Sequence, residues 1–150
     1  MHTAPTHQQV VCRGVRGATV ADDNTSEAIH AAIRELITAI VQANELNPDD
    51  LASVFFTTTP DLNAAFPAEA ARLMGWEHVP MMGAVEMDKP GAPCRCIRVL
   101  LHWNTTRSPH EIRHIYLKGT QSLRRVPPQA PGRGADEVAG PNAEHSEPQN

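Results

Sequence analysis

Two arginines lie in segments that otherwise have the character of β-strands, and together they could bind a small anion. Arg16 lies in the segment 10–19, Arg98 lies in the segment 96–101, and Glu86 follows a further apolar stretch. A charge inside a strand is costly to remove from water unless another group pairs with it. If that partner is a ligand, the arginines describe a pocket for a small, negatively charged molecule.

The residues around these charges follow patterns that predict strands and helices. We expect strands at 9–15, 51–58, 79–85 and 95–104, and helices at 25–43 and 63–74. The first helix has an apolar stripe at helical spacing, with Asn24 as its predicted cap and Glu27 as its capping-box partner. A helix-start signature at 108–111 begins a segment that is only short. The segment 115–117 could be a strand, and the pattern leaves its structure open.

This order of elements predicts an α+β fold, β-α-β-α-β-β, with a mixed sheet and the helices on one of its faces. In the strand 95–104 the apolar residues alternate onto one face, so Arg98 lies on the opposite face. No helix or strand of the chain is predicted to cover that second face. Oligomerisation is the natural way to bury it.

Composition places these elements in one domain. The chain has 150 residues, of which 41 % are apolar, and we expect the domain to span 10–126. Residues 1–9 are predicted to be a flexible extension. Residues 127–150, rich in Pro, Gly and acidic residues, are predicted to be a disordered tail.

Charge and cysteine content exclude several classes of function. The net charge is −4, and no generally basic face for nucleic acid is evident. The N-terminus has no signal-peptide pattern, and no segment has the ~20 apolar residues of a membrane helix. The 3 cysteines are too few for a disulfide framework, so we expect a cytoplasmic protein with neither nucleic acid nor membrane as a partner.

Two motifs suggest other chemistries. His110-Glu111-Ile-Arg-His114 matches the pattern H-E-x-x-H of zinc hydrolases, which needs a full helix to turn both histidines toward the metal. A proline directly before it and Gly119 shortly after it favour a capped turn instead. The glycines around Arg16 suggest a phosphate loop but lack its spacing, so a β-bulge or a tight strand end is the simpler interpretation.

Several blocks of sequence, taken together, resemble the monofunctional chorismate mutases of the AroH class. The blocks, in order along the chain, are Arg13–Thr19, Thr59–Asn63, Ala65–Ala68, Gly75-Trp76, Val79-Pro80, Glu86–Asp88, Cys96–Val99 and Glu111–Leu117. The resemblance runs from about residue 11 to residue 126. It implies a Bacillus chorismate mutase-like fold and a homotrimer, a pseudo-α/β barrel with active sites at the subunit interfaces.

The resemblance also implies an activity and a set of site residues. Members of this class rearrange chorismate to prephenate, a Claisen rearrangement in phenylalanine and tyrosine biosynthesis, without cofactor or metal. Arg98 is implied to reach the ether oxygen and a carboxylate, Glu86 to bind the substrate hydroxyl, and Arg16 to bind a carboxylate. The remaining residues implied to bind substrate or to border the site, several of them from the neighbouring subunit, are Phe66, Ala68, Arg72, Gly83, Tyr116, Leu123 and Arg124.

The chain departs from the pattern of the class at two positions near the implied site. Gly83 stands where the class has a pocket cysteine, and Glu69 stands where a lysine is frequent. Both changes are expected to weaken substrate binding. Two alternatives to an active mutase therefore stay open: a non-catalytic trimeric protein that binds a small carboxylate, and a zinc hydrolase using His110, Glu111 and His114.

Overall fold

The computed structural model of the protein describes residues 8–125. The predicted tail 127–150 lies outside this range, as do residues 1–7 of the predicted N-terminal extension. The strands and helices, in chain order, are β1 (Val11–Val20), α1 (Ser26–Asn44), β2 (Leu51–Thr58), α2 (Pro67–Leu73), β3 (Met81–Val85), β4 (Cys96–Thr105) and β5 (Ile115–Tyr116). Short 3₁₀ turns lie at Pro48–Asp50, Pro109–Glu111 and Thr120–Arg124.

The strands form one mixed sheet with the order β3-β2-β4-β1-β5. The pairs β1–β4 and β2–β4 are antiparallel, whereas β1–β5 and β2–β3 are parallel. The apolar stripe of α1 and the alternate residues of β4 are buried in one core, which confirms the predicted α+β fold; its members include Ile29, Ile33, Leu36, Ile37, Ile97, Val99, Leu101 and Trp103. No helix among residues 8–125 has the length and apolar character needed to cross a membrane.

β1 is longer than predicted and runs through both glycines that flank Arg16. Its register with β4 is unbroken over all 10 residues, so the expected strand end or β-bulge was wrong. The reason is the close approach of α1. A Cβ atom at Gly17 would lie 2.7 Å from Cδ1 of Ile40, so a larger residue would force the buried Ile40 side chain to shift.

The start of α1 also differs from the prediction by one residue. Thr25, rather than Asn24, is the N-cap, and its Oγ1 accepts a hydrogen bond from the N–H of Ala28 at 3.1 Å. Ala28 occupies the third helical position, so Glu27 cannot complete a capping box. Asn24 instead connects α1 to the loop before α2, because its Oδ1 accepts the N–H of Asn63 at 3.0 Å.

α2 and β3 both start later than predicted, and a proline stands at each boundary. Pro67 is the first residue of α2 and holds Phe66 before it in an extended conformation, with φ −76° and ψ 128°. Residues 63–66 are therefore not helical. Pro80 directly precedes β3. Gly75, with φ 95°, follows the end of α2 where the sequence predicted a stop.

The sheet face opposite the helices is open, as the alternation in β4 predicted. Phe55 of β2, Leu100 of β4 and Met82 of β3 lie side by side on it, and Met82 is 63 % exposed. A group of adjacent exposed apolar side chains is typical of a surface that a partner covers. The open face also carries the charged residues of the candidate site.

Candidate active site

The sheet register brings Arg16 and Arg98 together on the open face. Arg16 of β1 pairs with Leu100 of β4, and Arg98 pairs with Ala18, two residues further along β1. Side chains at such diagonal positions of an antiparallel pair are within reach of each other when they are long. The two arginines that the sequence singled out therefore border the same region of the sheet.

Glu86, directly after β3, completes this group through a set of hydrogen bonds. Its Oε2 accepts from Oγ1 of Thr57 at 2.7 Å and from Nη1 of Arg98 at 3.2 Å, and its Oε1 accepts from the N–H of Met87 at 3.1 Å. Thr57 and Arg98 are directly paired across β2 and β4. Three donors thus hold one carboxylate in a fixed orientation.

These contacts keep Glu86 ionised. The Thr57 hydroxyl is the main cause that lowers the pKa of Glu86, with smaller contributions from the Met87 N–H and the Arg98 charge, while partial burial opposes them. The side chain of Glu86 is 26 % exposed and that of Arg98 is 40 % exposed. The pair is therefore partly accessible, and it can exchange contacts with a ligand.

A cavity of about 240 Å³ opens beside this ion pair. Its walls include Arg16, Thr57, Glu86, Arg98 and Tyr116. Tyr116 enters from β5, whose parallel pairing places it next to Ala18 of β1. The sequence left the structure of 115–117 open. The structure shows a strand at Ile115–Tyr116, and this strand places Tyr116 in the wall of the cavity.

Arg124 approaches the same site from the 3₁₀ turn Thr120–Arg124. Its guanidinium carbon lies 5.3 Å from the centre of the Tyr116 ring, within range of a cation–π interaction. Leu123 precedes it in the same turn and is half-buried. Arg124 therefore contacts Tyr116 of the cavity beside Glu86, but it lines a neighbouring cavity with His114 rather than that one.

The other predicted site residues lie elsewhere in the single chain. Phe66 and Gly83 line a separate cavity of about 560 Å³ between α2 and β3, in which Phe66 is 72 % exposed. Ala68 and Arg72 are on α2, and neither lines that cavity or the one beside Glu86. Of the predicted site residues, one chain brings Arg16, Glu86, Arg98 and Tyr116 to one cavity and places Arg124 against the Tyr116 ring.

Sequence reasoning missed Thr57. Strand alternation puts Thr57 on the same face as Phe55, but it does not reveal which residue lies opposite. Only the register of β2 against β4 shows that Thr57 faces Arg98 and can orient Glu86.

The pattern H-E-x-x-H does not form the helix that a zinc hydrolase needs. His110 and Glu111 lie in the 3₁₀ turn Pro109–Glu111, and Oε1 of Glu111 accepts the N–H of Ser108 at 3.0 Å. Nδ1 of His114 accepts the N–H of Arg16 at 2.9 Å. Within residues 8–125 no group of three His, Cys, Asp or Glu side chains is placed to hold a metal ion. The capped turn is the interpretation that the structure confirms.

Fold and site together define a small α+β protein with a cavity lined by two arginines on the open face of its sheet. The family model for chorismate mutase type I matches residues 12–126, and the chain belongs to this family. Chorismate mutase AroH from Thermus thermophilus is 47 % identical over 113 residues, which are 75 % of this chain and 93 % of that protein. Chorismate mutase AroH from Bacillus subtilis is 39 % identical over 116 residues, 77 % of this chain and 91 % of that protein.

A solved structure gives the same assignment of fold. Chorismate mutase from Clostridium thermocellum matches with a TM-score of 0.72 and 44 % sequence identity, over 74 % of this chain and 99 % of that chain. At this identity and coverage the similarity extends over most of the described residues. The family that the sequence blocks resembled is confirmed.

Proposed function

We infer that the protein is a chorismate mutase, which converts chorismate to prephenate. The observation that carries this function is the fixed group of Arg98, Glu86 and Arg16 around one cavity, in a chain that belongs to the family. Chorismate carries two carboxylates, an ether oxygen and a hydroxyl. A site with cations and a hydrogen-bond acceptor at fixed positions matches these groups.

Each residue has a distinct proposed role. Arg16 and Arg98 bind the carboxylates, and the ionised Glu86 accepts a hydrogen bond from the substrate hydroxyl. Arg124, over the Tyr116 ring, is proposed to lie near the mouth of the site. Arg98 donates to the ether oxygen through the part of its guanidinium that does not bind Glu86. Tyr116, held under Arg124, forms an apolar wall with a polar end. The support for these roles is the hydrogen bonding of Glu86 and the shared cavity.

The reaction is a unimolecular rearrangement in which one C–O bond breaks and one C–C bond forms. No proton is transferred and no nucleophile attacks, so catalysis has two sources. The cations hold the flexible dianion in its compact, reactive conformation. Arg98 also stabilises the negative charge that develops on the ether oxygen as the C–O bond breaks, because its guanidinium is already oriented by Glu86.

The proposed active form is a homotrimer with a site at each subunit interface. Two features support it: the open sheet face with exposed Phe55, Met82 and Leu100, and the separation of the predicted site residues into two groups within one chain. In a trimer the group on and near α2 of one subunit, together with Leu123 of its turn Thr120–Arg124, can border the Arg98 cavity of the next. The residues proposed to come from the neighbour are Phe66, Ala68, Arg72 and Leu123. A cytoplasmic location likewise stays a prediction.

Incubating purified protein with chorismate and following the loss of its absorbance tests the function. Catalysed turnover that scales with protein concentration is expected. If the protein is instead a non-catalytic carboxylate-binding protein, calorimetry should detect binding of chorismate while no turnover is observed. As a matched control, Arg34→Ala removes an exposed arginine of α1, remote from the site, and should retain full activity.

A further inference from the structure

Arg16 is held at an unusual point of the sheet. The parallel pairing of β1 with β5 consists of only two residue pairs, Gly17 with Ile115 and Ala18 with Tyr116. Arg16 lies directly before the first pair, where the ladder has ended. Its N–H is bonded by a side chain instead: it donates to Nδ1 of His114 at 2.9 Å. The imidazole thus prolongs the ladder by one hydrogen bond, at the residue proposed to bind a carboxylate.

A buried amide fixes the segment that carries His114. Asn44, at the end of α1, is fully buried. Its Nδ2 donates to the carbonyl oxygen of Arg113 at 2.9 Å, and its Oδ1 accepts the N–H of Arg113 at 2.9 Å. The same Nδ2 donates to the carbonyl of Ile40 within the helix at 2.9 Å. Two bonds to one residue set both the position and the rotation of the chain directly before His114.

We propose that His114 is a positioning residue for Arg16: the neutral imidazole, aimed by Asn44 through the backbone of Arg113, holds the β1 backbone so that the Arg16 side chain meets a substrate carboxylate. This role rests on the proposed function. The same bond holds β5 against β1 and therefore fixes the spacing between Arg16 and Tyr116. Asn44 acts at a distance from the cavity, and neither Asn44 nor His114 contacts the reacting atoms.

The geometry requires a defined protonation state. Because Nδ1 accepts a hydrogen bond, the single proton of the neutral ring must be on Nε2. Burial is the main cause that lowers the pKa of His114, and the charges of Arg16 and Arg124 lower it further. His110, Glu111 and Arg113 share a shallow cavity with it. The charged groups around the ring are three arginines, Arg16, Arg113 and Arg124, and one carboxylate, that of Glu111. The cations outnumber the carboxylate, so the surroundings favour the neutral form of His114.

Protonation of His114 turns Nδ1 from an acceptor into a donor, which then faces the N–H of Arg16, a second donor. The hydrogen bond is lost, and Arg16 loses its fixed position. Since the pKa is lowered, this change occurs below the ordinary range of histidine, and the site is intact at neutral pH.

Three variants test the role by steady-state kinetics with chorismate. His114→Leu removes the acceptor and should raise KM roughly threefold to tenfold, the effect of one lost hydrogen bond, with kcat little changed. His114→Asn places an amide oxygen where Nδ1 was and should restore most of the affinity. His110→Leu is the matched control in the same segment and should leave KM unchanged. In the wild type KM should rise on acidification from pH 6.5 to pH 4.5, below the ordinary pKa of histidine and above that of Glu86, and in His114→Asn this rise should be absent.

A measurement without substrate separates this inference from the proposed function. Nitrogen-15 NMR of the wild type should show an unprotonated Nδ1 on His114 at neutral pH, and the amide signal of Arg16 should titrate together with the ring. A proton on Nδ1 at neutral pH, or an unchanged KM in a folded His114→Leu protein, would overturn the positioning role. If the wild type lacks turnover, the proposed function fails, while the NMR result still decides whether His114 holds Arg16.

Discussion

Replacing Arg98 is the most direct test of the proposed mechanism, because the structure isolates its contribution. In Arg98→Ala the carboxylate of Glu86 keeps two of its three donors, the Thr57 hydroxyl at 2.7 Å and the Met87 N–H at 3.1 Å. Glu86 is therefore not left without partners, and its orientation should persist. The loss of activity then reports the missing guanidinium rather than a collapsed site.

The size of the effect follows from the geometry of the guanidinium. Arginine has five N–H donors, and within residues 8–125 Arg98 uses only Nη1, on Glu86. The remaining donors are free to meet the ether oxygen. A preoriented donor aimed at charge that develops in the transition state is worth about 2.7–4 kcal/mol, so kcat should fall about 10²- to 10³-fold. Arg98 is 40 % exposed in the single chain, and the larger value requires a neighbouring subunit to exclude water.

The assay is the decrease of chorismate absorbance under saturating substrate, with the oligomeric state checked by light scattering. Arg98→Lys should recover only part of the loss, because an ammonium keeps the charge but lacks the planar fork that can bind Glu86 and the ether oxygen at once. Arg34→Ala controls for the removal of an arginine. An Arg98→Ala protein with wild-type kcat would refute the electrostatic role of this residue.

Three further changes separate binding, ionisation and packing. Arg16→Ala should raise KM about tenfold to a hundredfold, the loss of a charge-assisted hydrogen bond of ~1.5–3 kcal/mol, and a fall in kcat alone would contradict a binding role. In the His114→Asn background, where the titration of His114 is absent, Thr57→Val removes the main cause of the lowered pKa of Glu86, so the remaining acidic limb of the kcat/KM profile should move to higher pH; an unmoved limb would show that Thr57 does not control this ionisation. Gly17→Ala should lower the free energy of unfolding by about 1–3 kcal/mol in urea titrations, since the added methyl overlaps a side chain of α1. Gly14→Ala, whose Cβ would lie an ordinary 3.5 Å from its nearest neighbour, is the control, and equal losses in the two variants would disprove the packing argument.

The sequence predicted the order and type of the elements, and its errors concern local contacts between them. The apolar periodicity of α1 and β4 was sufficient to place both, because each buries one continuous face. β1 was predicted too short, because a glycine next to a charged residue is also typical of a strand end. The sequence alone does not show that α1 packs against Gly17. Gly17 leaves room for Ile40, which is distant in sequence and comes close to it only in the folded chain.

The candidate site could be predicted only in part for the same reason. Residue types and the family resemblance identified Arg16, Glu86 and Arg98, whose charges are unusual in or next to strands. Thr57 has no such signal, because a threonine in a strand is ordinary. Its role depends on lying opposite Arg98, and strand register is a property of the sheet rather than of any single segment.

The type of reaction explains why these residues lie on or next to strands rather than on long loops. A rearrangement without proton transfer gains nothing from a group that moves or changes its charge, so the site must supply fixed charges in a fixed orientation. Arg98 is on β4, whose two neighbours β1 and β2 hydrogen-bond it on both sides, and Thr57 beside it fixes Glu86. Arg16, nearer the edge, has less support from the sheet because β5 is only 2 residues long. A side-chain hydrogen bond at that position supplies the restraint that a longer β5 would otherwise give.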